Sequence, residues 1–188
     1  MTIAEWAALD EGEPGELVDG VLVEEEMPTT LHEAVVAFVL AALRNWVVPR
    51  GGMAFGSELK FEVRDRRGRK ADASAYLPGA RLPGRMAGAT RRPPSIVLEV
   101  LSPQPRDVRR DTIEKLAEYA AFGVRYYWLV DPVARTLEIR ELRAGALPTI
   151  ALAVADGSHA APGCDGLTLD LDALWAELDR LPETEDEE

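Results

Sequence analysis

The chain predicts a single α/β domain in which a central mixed β-sheet is flanked by helices. Three observations carry that reading. Ser95–Leu101 and Tyr126–Val130 are short apolar runs of the kind that form strands buried on both faces. Thr30–Val48 and Asp107–Phe122 carry apolar residues at helical spacing, bounded by helix start and stop signals. No repeat or linker divides residues 1–178, and 188 residues suffice to bury a core without disulfides.

The elements follow in order. Thr2 with Glu5 forms a capping box that opens a short helix to about Leu9. Glu16–Glu24 alternates around Asp19-Gly20, a two-residue turn signal, and predicts a hairpin. A second capping box, Thr30 with Glu33, starts the long amphipathic helix, which Pro49, Arg50, Gly51 and Gly52 stop. Phe55–Val63 reads as one strand, Asp65–Gly68 as a turn, and Ala71–Leu77 as the next strand. Pro78–Pro94, rich in Gly, Pro and Arg, is a loop. Beyond the 95–101 strand, Ser102-Pro103-Gln104-Pro105 is a break. In the helix of Asp107–Phe122, Ile113, Leu116, Ala117 and Ala120 are expected to face inward, with Gly123 as its C-terminal cap. Tyr126–Val130, Thr136–Leu142, Thr149–Val154 and Leu167–Leu171 complete the strands, and Asp172 caps a last helix ending at Leu178.

Charge is unevenly distributed. The net charge of −12 opposes nucleic-acid binding, but Lys60–Lys115 holds 14 Lys/Arg against 7 Asp/Glu, leaving −19 on the remainder. Arg66, Arg67, Arg69, Arg91, Arg92, Arg109 and Arg110 are therefore expected to form a local surface facing a polyanion. Each could alternatively serve only to keep a loop solvated. Residues 179–188 are acidic and expected to form a disordered tail. A lone Cys164 and the absence of a signal-peptide pattern point to a reducing, cytoplasmic setting. The apolar run Glu33–Val48, interrupted by Arg44 and Asn45, is too short to span a bilayer, so no membrane partner is expected.

The chemistry concentrates on Glu99. A carboxylate among Ile96, Val97, Leu98, Val100 and Leu101 must be paired, hydrogen-bonded or metal-bound. Asp72 begins a neighbouring strand, and Lys115 lies on the helix that follows Glu99. Two acids and an ammonium are the parts of a phosphodiesterase site, with Asp72 and Glu99 binding Mg²⁺ (Mn²⁺ can substitute). Lys115 or Lys70 would then orient water and offset charge on phosphate. The alternatives are ordinary: Glu99 as a structural ion-pair partner, Asp72 as a surface acid, Lys115 or Lys70 as a solvated cation. Glu16 either joins the site or pairs with a base, and Asp111 reaches Lys115 at i, i+4. His32 is expected to be a surface residue without a catalytic role, and Tyr126, Tyr127 and Trp128 to be core aromatics.

Glu16-Leu17-Val18-Asp19-Gly20, Lys70-Ala71-Asp72, Val97 through Pro103, Lys115-Leu116-x-x-Tyr119 and Gly123 through Pro132 together resemble the Uma family of endonucleases. That family belongs to the PD-(D/E)XK, restriction-endonuclease-like superfamily, and the resemblance covers about residues 13–176. It implies a restriction-endonuclease-like core, Mg²⁺, and nuclease activity with DNA favoured over RNA, which the residues leave open as a substrate. The sequence departs from the pattern in two places. Ala71 replaces the motif's Pro, and Leu101 stands where the E-x-K lysine belongs. The resemblance implies a migrated lysine, with Lys115 as donor and Lys70 as the other choice. The missing lysine also supports a second reading, a catalytically degenerate member that binds nucleic acid or protein. A homodimer is expected because cutting a duplex takes two active sites.

Overall fold

The structure, a computed structural model, describes residues 1–9, 15–23, 27–102, 110–143 and 145–182, with only the backbone described at 110–112. In chain order the first elements are α1 (Ile3–Ala7), β1 (Glu16–Val18), β2 (Val21–Val23), α2 (Thr30–Val47) and a 3₁₀ turn, Val48–Arg50. Then come β3 (Met53–Gly56), β4 (Lys60–Arg64), β5 (Arg67–Lys70), β6 (Ala73–Tyr76) and β7 (Ile96–Val100). A π-helical turn, Arg110–Lys115, runs directly into α3 (Leu116–Phe122). The remaining elements are β8 (Tyr126–Asp131), β9 (Thr136–Glu141), β10 (Thr149–Val154), β11 (Ser158–Ala160), β12 (Thr168–Asp170) and α4 (Leu171–Leu178).

Six strands form the central mixed sheet in the order β10-β9-β8-β7-β6-β3, with β7 and β8 parallel and the other neighbours antiparallel. A parallel pair needs a crossover, and α3 supplies it between β7 and β8. Burial on both faces explains the two continuous apolar runs. Ile96, Leu98, Val100, Tyr126, Trp128 and Val130 pack with α2 and α4 on one side. Val97, Tyr127 and Leu129 pack with Leu116, Tyr119 and Ala120 of α3 and Phe61 of β4 on the other. A four-stranded sheet, β2-β1-β5-β4, joins this second side, and β11 pairs with β12 alone. By length and composition Thr30–Arg50 would suit a bilayer, longer than the sequence run implied, but Val35, Val39, Leu43 and Trp46 are buried in the core.

The structure corrects several expectations. Phe55–Val63 is two strands in two different sheets, with Ser57–Leu59 between them. Arg67 and Gly68, expected in the Asp65–Gly68 turn, instead open strand β5, whose arginines are buried in ion pairs rather than exposed. Thr29, not Thr30, caps α2 by accepting the His32 N–H, and Asp170, not Asp172, caps α4 through the Ala173 N–H. β11 had no sequence signal strong enough to be assigned. Ile113 and Ala117 face solvent, while Lys115, Leu116, Tyr119 and Ala120 face inward. The wider π turn advances the helix phase, so the period of an ideal α-helix misplaces Ile113. Of the expected tail, Asp179 pairs with Arg135 and Leu181 packs on the core, while residues 183–188 lie outside the described residues. So do Arg109, the Pro103–Pro105 break and the start of the Asp107 helix.

Candidate active site

Glu99 alternates with the core residues of β7, so its side chain leaves the sheet on the α3 side with Val97. There it is enclosed, 1% exposed. Both oxygens are engaged: Lys115 Nζ donates to Oε2 at 2.8 Å, and the Tyr119 hydroxyl donates to Oε1 at 3.2 Å. Lys115 and Tyr119 are four residues apart and stack on one face of the helix, which lets one element grip both oxygens. Lys115 is itself 3% exposed. Its ammonium also lies 3.6 Å from Glu16 Oε1, so the cation sits between two carboxylates. Burial pushes the Tyr119 hydroxyl's pKa well above its ordinary range, and the Glu99 charge raises it further, so it remains a donor.

Asp72 occupies the bend between β5 and β6. The β6–β7 register pairs Ala73 with Leu98, Ser74 with Val97 and Ala75 with Ile96. The ladder ends at that first pair, and Asp72, one residue before it, lies in a bend beside the end of β7 that carries Glu99. Asp72 is anchored to β7 directly, because its Oδ2 accepts the Val100 N–H at 2.6 Å. His32 Nε2 lies 3.2 Å from the same oxygen, and His32 Nδ1 lies 3.5 Å from Glu33 Oε1. Burial alone would lower the His32 pKa. The hydrogen bond and charge of Asp72, with the Glu33 charge, outweigh burial and raise it. His32, expected at the surface, is thus a half-buried partner of Asp72. Its place in the first turn after a cap carried no sequence sign of this.

Glu16 enters from β1, 1% exposed. Its Oε2 accepts from Arg69 Nη1 at 2.5 Å and its Oε1 from the Lys70 N–H at 3.1 Å. Arg69 Nε donates to Glu118 Oε2 at 2.6 Å, and Arg67 pairs with Glu118 at 3.1 Å and with Asp19 at 3.1 Å. Arg69, itself 1% exposed, has no surface to offer a phosphate, and Arg67 is almost as enclosed. Both were expected on a polyanion-facing surface; the buried Glu16 of β1 and the partly exposed Glu118 of α3 draw them inward instead. Exposed Arg91 pairs with Glu62, Arg92 bonds the Leu82 carbonyl, and Arg66 bonds the Asp19 carbonyl. The Tyr76 hydroxyl donates to the Arg92 carbonyl, which sets Arg92 at the far end of β6 from Asp72. Lys70 Nζ is turned to Glu58 at 3.1 Å. Arg109 lies outside the described residues, as do the side chains of Arg110 and Asp111.

The residues present fit a hard divalent cation. Asp72, bonded to the Val100 N–H, and Glu99, the neighbour of Val100 in the chain, offer carboxylate oxygens, and Mg²⁺ takes a few such donors and completes its shell with water. Among the described residues, Asp72 makes its contacts through Oδ2. Among the described residues no group of three or more His, Cys, Asp and Glu gathers into a larger metal cluster.

Comparison with known proteins shows the family and the fold. A family model, Uma2, described as "Putative restriction endonuclease", matches residues 3–172. A crystal structure of "a putative nuclease belonging to DUF820" from Anabaena variabilis superimposes with a TM-score of 0.72. At 22% identity, the match covers 95% of this chain and 99% of that one. No curated protein matches the chain. With a mixed sheet, flanking helices and a family match over nearly its whole length, the chain has a restriction-endonuclease-like fold and belongs to the Uma2 family.

Proposed function

We propose that the protein is a Mg²⁺-dependent endonuclease that hydrolyses phosphodiester bonds in DNA, and that it works as a homodimer with one site per strand. The observation that carries this reading is the contact of Lys115 Nζ with Glu99 Oε2 at 2.8 Å. An ammonium from the following helix stands beside the β7 acid, in the role the absent E-x-K lysine would take.

Asp72 and Glu99 would hold the ion, with the Val100 carbonyl as a further donor. When bound, such an ion lowers the pKa of its water and offsets charge on a phosphate oxygen. The chain's own residues supply the rest. Tyr119 fixes the Glu99 carboxylate, and the Val100 N–H and His32 fix that of Asp72. Lys115 orients the attacking water and stabilises charge building on the phosphate. The enclosure of Glu99 and Lys115 strengthens every charge interaction made there.

One observation favours the rival reading, a non-catalytic binding module: both Glu99 oxygens are already hydrogen-bonded. Cleavage of supercoiled plasmid DNA separates the two. An active enzyme nicks it with Mg²⁺, stops with EDTA, and loses activity in Asp72→Asn and Glu99→Gln. Wild-type protein that binds DNA and leaves it uncut under all these conditions supports the module.

A further inference from the structure

We propose that Arg69 is a positioning residue for Lys115, acting through Glu16 and Glu118. The proposal rests on Lys115 being the ammonium of the nuclease site. The alternating charges form a continuous line, Glu118, Arg69, Glu16, Lys115, Glu99, buried from Arg69 onward with Glu118 partly exposed. Arg69 Nε reaches Glu118 at 2.6 Å, Arg69 Nη1 reaches Glu16 at 2.5 Å, Glu16 reaches Lys115 at 3.6 Å, and Lys115 reaches Glu99 at 2.8 Å.

The line does more than neutralise charge, because of where its two ends are rooted. Lys115 closes a π-helical turn, and Glu118 lies three residues on, in the first turn of α3. A π turn can revert to α-helical pairing by shifting one residue, which would rotate Lys115 out of the site. Leu116 and Ala120 fix the helix by apolar contact, which tolerates small rotation; the guanidinium of Arg69 does not. It is planar, and two of its nitrogens are committed to two different carboxylates. Glu118 ties the helix phase to β5, and Glu16 ties the same arginine to the ammonium itself. Glu16 also accepts the Lys70 N–H, two residues before Asp72, so the strand leading to the second acid is held by the same carboxylate. Arg67 also holds Glu118, at 3.1 Å, but Arg69 alone of the two reaches Glu16 as well, so Arg69 links the rotation of α3 to the place of Lys115. Burial works against the Arg69 charge, yet the two acids raise its pKa overall, so the cation persists at any working pH.

The chain has three lysines, Lys60, Lys70 and Lys115, few enough to be resolved one by one. Protein labelled with ¹⁵N-lysine gives three ammonium signals, and Lys115→Arg identifies that of Lys115. Buried, hydrogen-bonded to Glu99 and ion-paired with Glu16, the Lys115 ammonium exchanges slowly with water in wild type. Glu118→Gln, at a partly exposed position where the fold survives, loosens the clamp. Exchange at Lys115 then speeds by about tenfold or more, and kcat falls about tenfold to a hundredfold with KM and Mn²⁺ affinity held within about twofold. Arg69→Lys keeps the charge and loses the fork, and behaves like Glu118→Gln. Arg69→Gln is scored by the same signals if it folds, shown by an unchanged Lys60 signal. An unmoved Lys115 signal in Glu118→Gln and Arg69→Lys overturns the proposal, and so does a rise in KM with kcat unchanged. If wild type cuts no nucleic acid, the nuclease reading fails and the Lys115 signal alone decides whether Arg69 positions it.

Discussion

Lys115 and His32 are the side chains on which the site turns, and each makes a separable prediction. Lys115 binds a carboxylate and is no metal ligand, so Lys115→Ala should cut Mg²⁺-dependent cleavage by about two to three orders of magnitude, as removal of one charge-stabilising donor does. Metal affinity, measured by calorimetry with Mn²⁺, should change little. Full activity in that variant, with Lys70→Ala inactive, would move the role to Lys70, although Lys70 Nζ is turned to Glu58. His32 predicts a pH dependence of stability. Its folded pKa is raised above the unfolded value near 6.5, so the protonated ring binds Asp72 more favourably in the folded state. That stabilisation is fully present below pH 6.5 and is lost as pH rises through the raised folded pKa. Urea unfolding of wild type against His32→Gln should therefore show a larger gap at pH 5 than at pH 9. Equal gaps at both would mean that the ring does not gain from the acid.

At the scale of elements, the small sheet and the π turn decide what the site can hold. β5 presents Gly68 to α1, where an added Cβ would sit 2.3 Å from a ring carbon of the fully buried Trp6. Trp6 cannot yield easily, because its indole N–H donates to the Gly15 carbonyl at 3.0 Å and the ring fills the space over the sheet. Gly68→Ala should cost about 1–3 kcal/mol of stability in denaturant titration, the range for overpacking a closed site. β5 also carries Arg69 and leads to Asp72, so the variant should lose cleavage in step with stability. On α3, Gly123 is the αL cap at φ 107°, as its position in the sequence implied. The start of that helix was not legible. Apolar spacing pointed to Ile113, whereas a π turn puts the charged Lys115 inside.

For the whole molecule, net charge argues against a polyanion and local charge argues for one, and the structure divides the local charge in two. Arg67 and Arg69 are internal, while Arg66, Arg91 and Arg92 are exposed. DNA binding under the proposed function should then weaken steeply with salt. Arg91→Gln with Arg92→Gln should reduce the slope of log affinity against log salt by about one for each phosphate no longer neutralised. Arg69→Gln should behave differently. It leaves Glu16 buried without its closest cation and should destabilise folding by about 3–5 kcal/mol while leaving the slope unchanged in protein that remains folded. A slope unaffected by the Arg91/Arg92 pair would remove the 78–94 loop from the binding surface.

What the sequence determined by itself is the pattern of burial: two double-faced apolar strands, a long amphipathic helix, turns at Asp19-Gly20 and Gly123, and an acid inside a strand that had to find a partner. These follow from the period of side chains along the chain and from the cost of burying charge, both local properties. Tertiary structure decided which partners were found. Arg67 and Arg69 looked like surface charge because they stand among other basic residues beside a turn. Their acids come from residues 16, 19 and 118, far away in the chain. Asp72 and Glu99 were visible as candidates, but Asp72's bond to the Val100 N–H depends on β6 pairing with β7, and its contact with His32 depends on how α2 packs against the sheet. Periodicity along one strand says which face a side chain takes; only the pairing of strands and the docking of helices says what stands across from it.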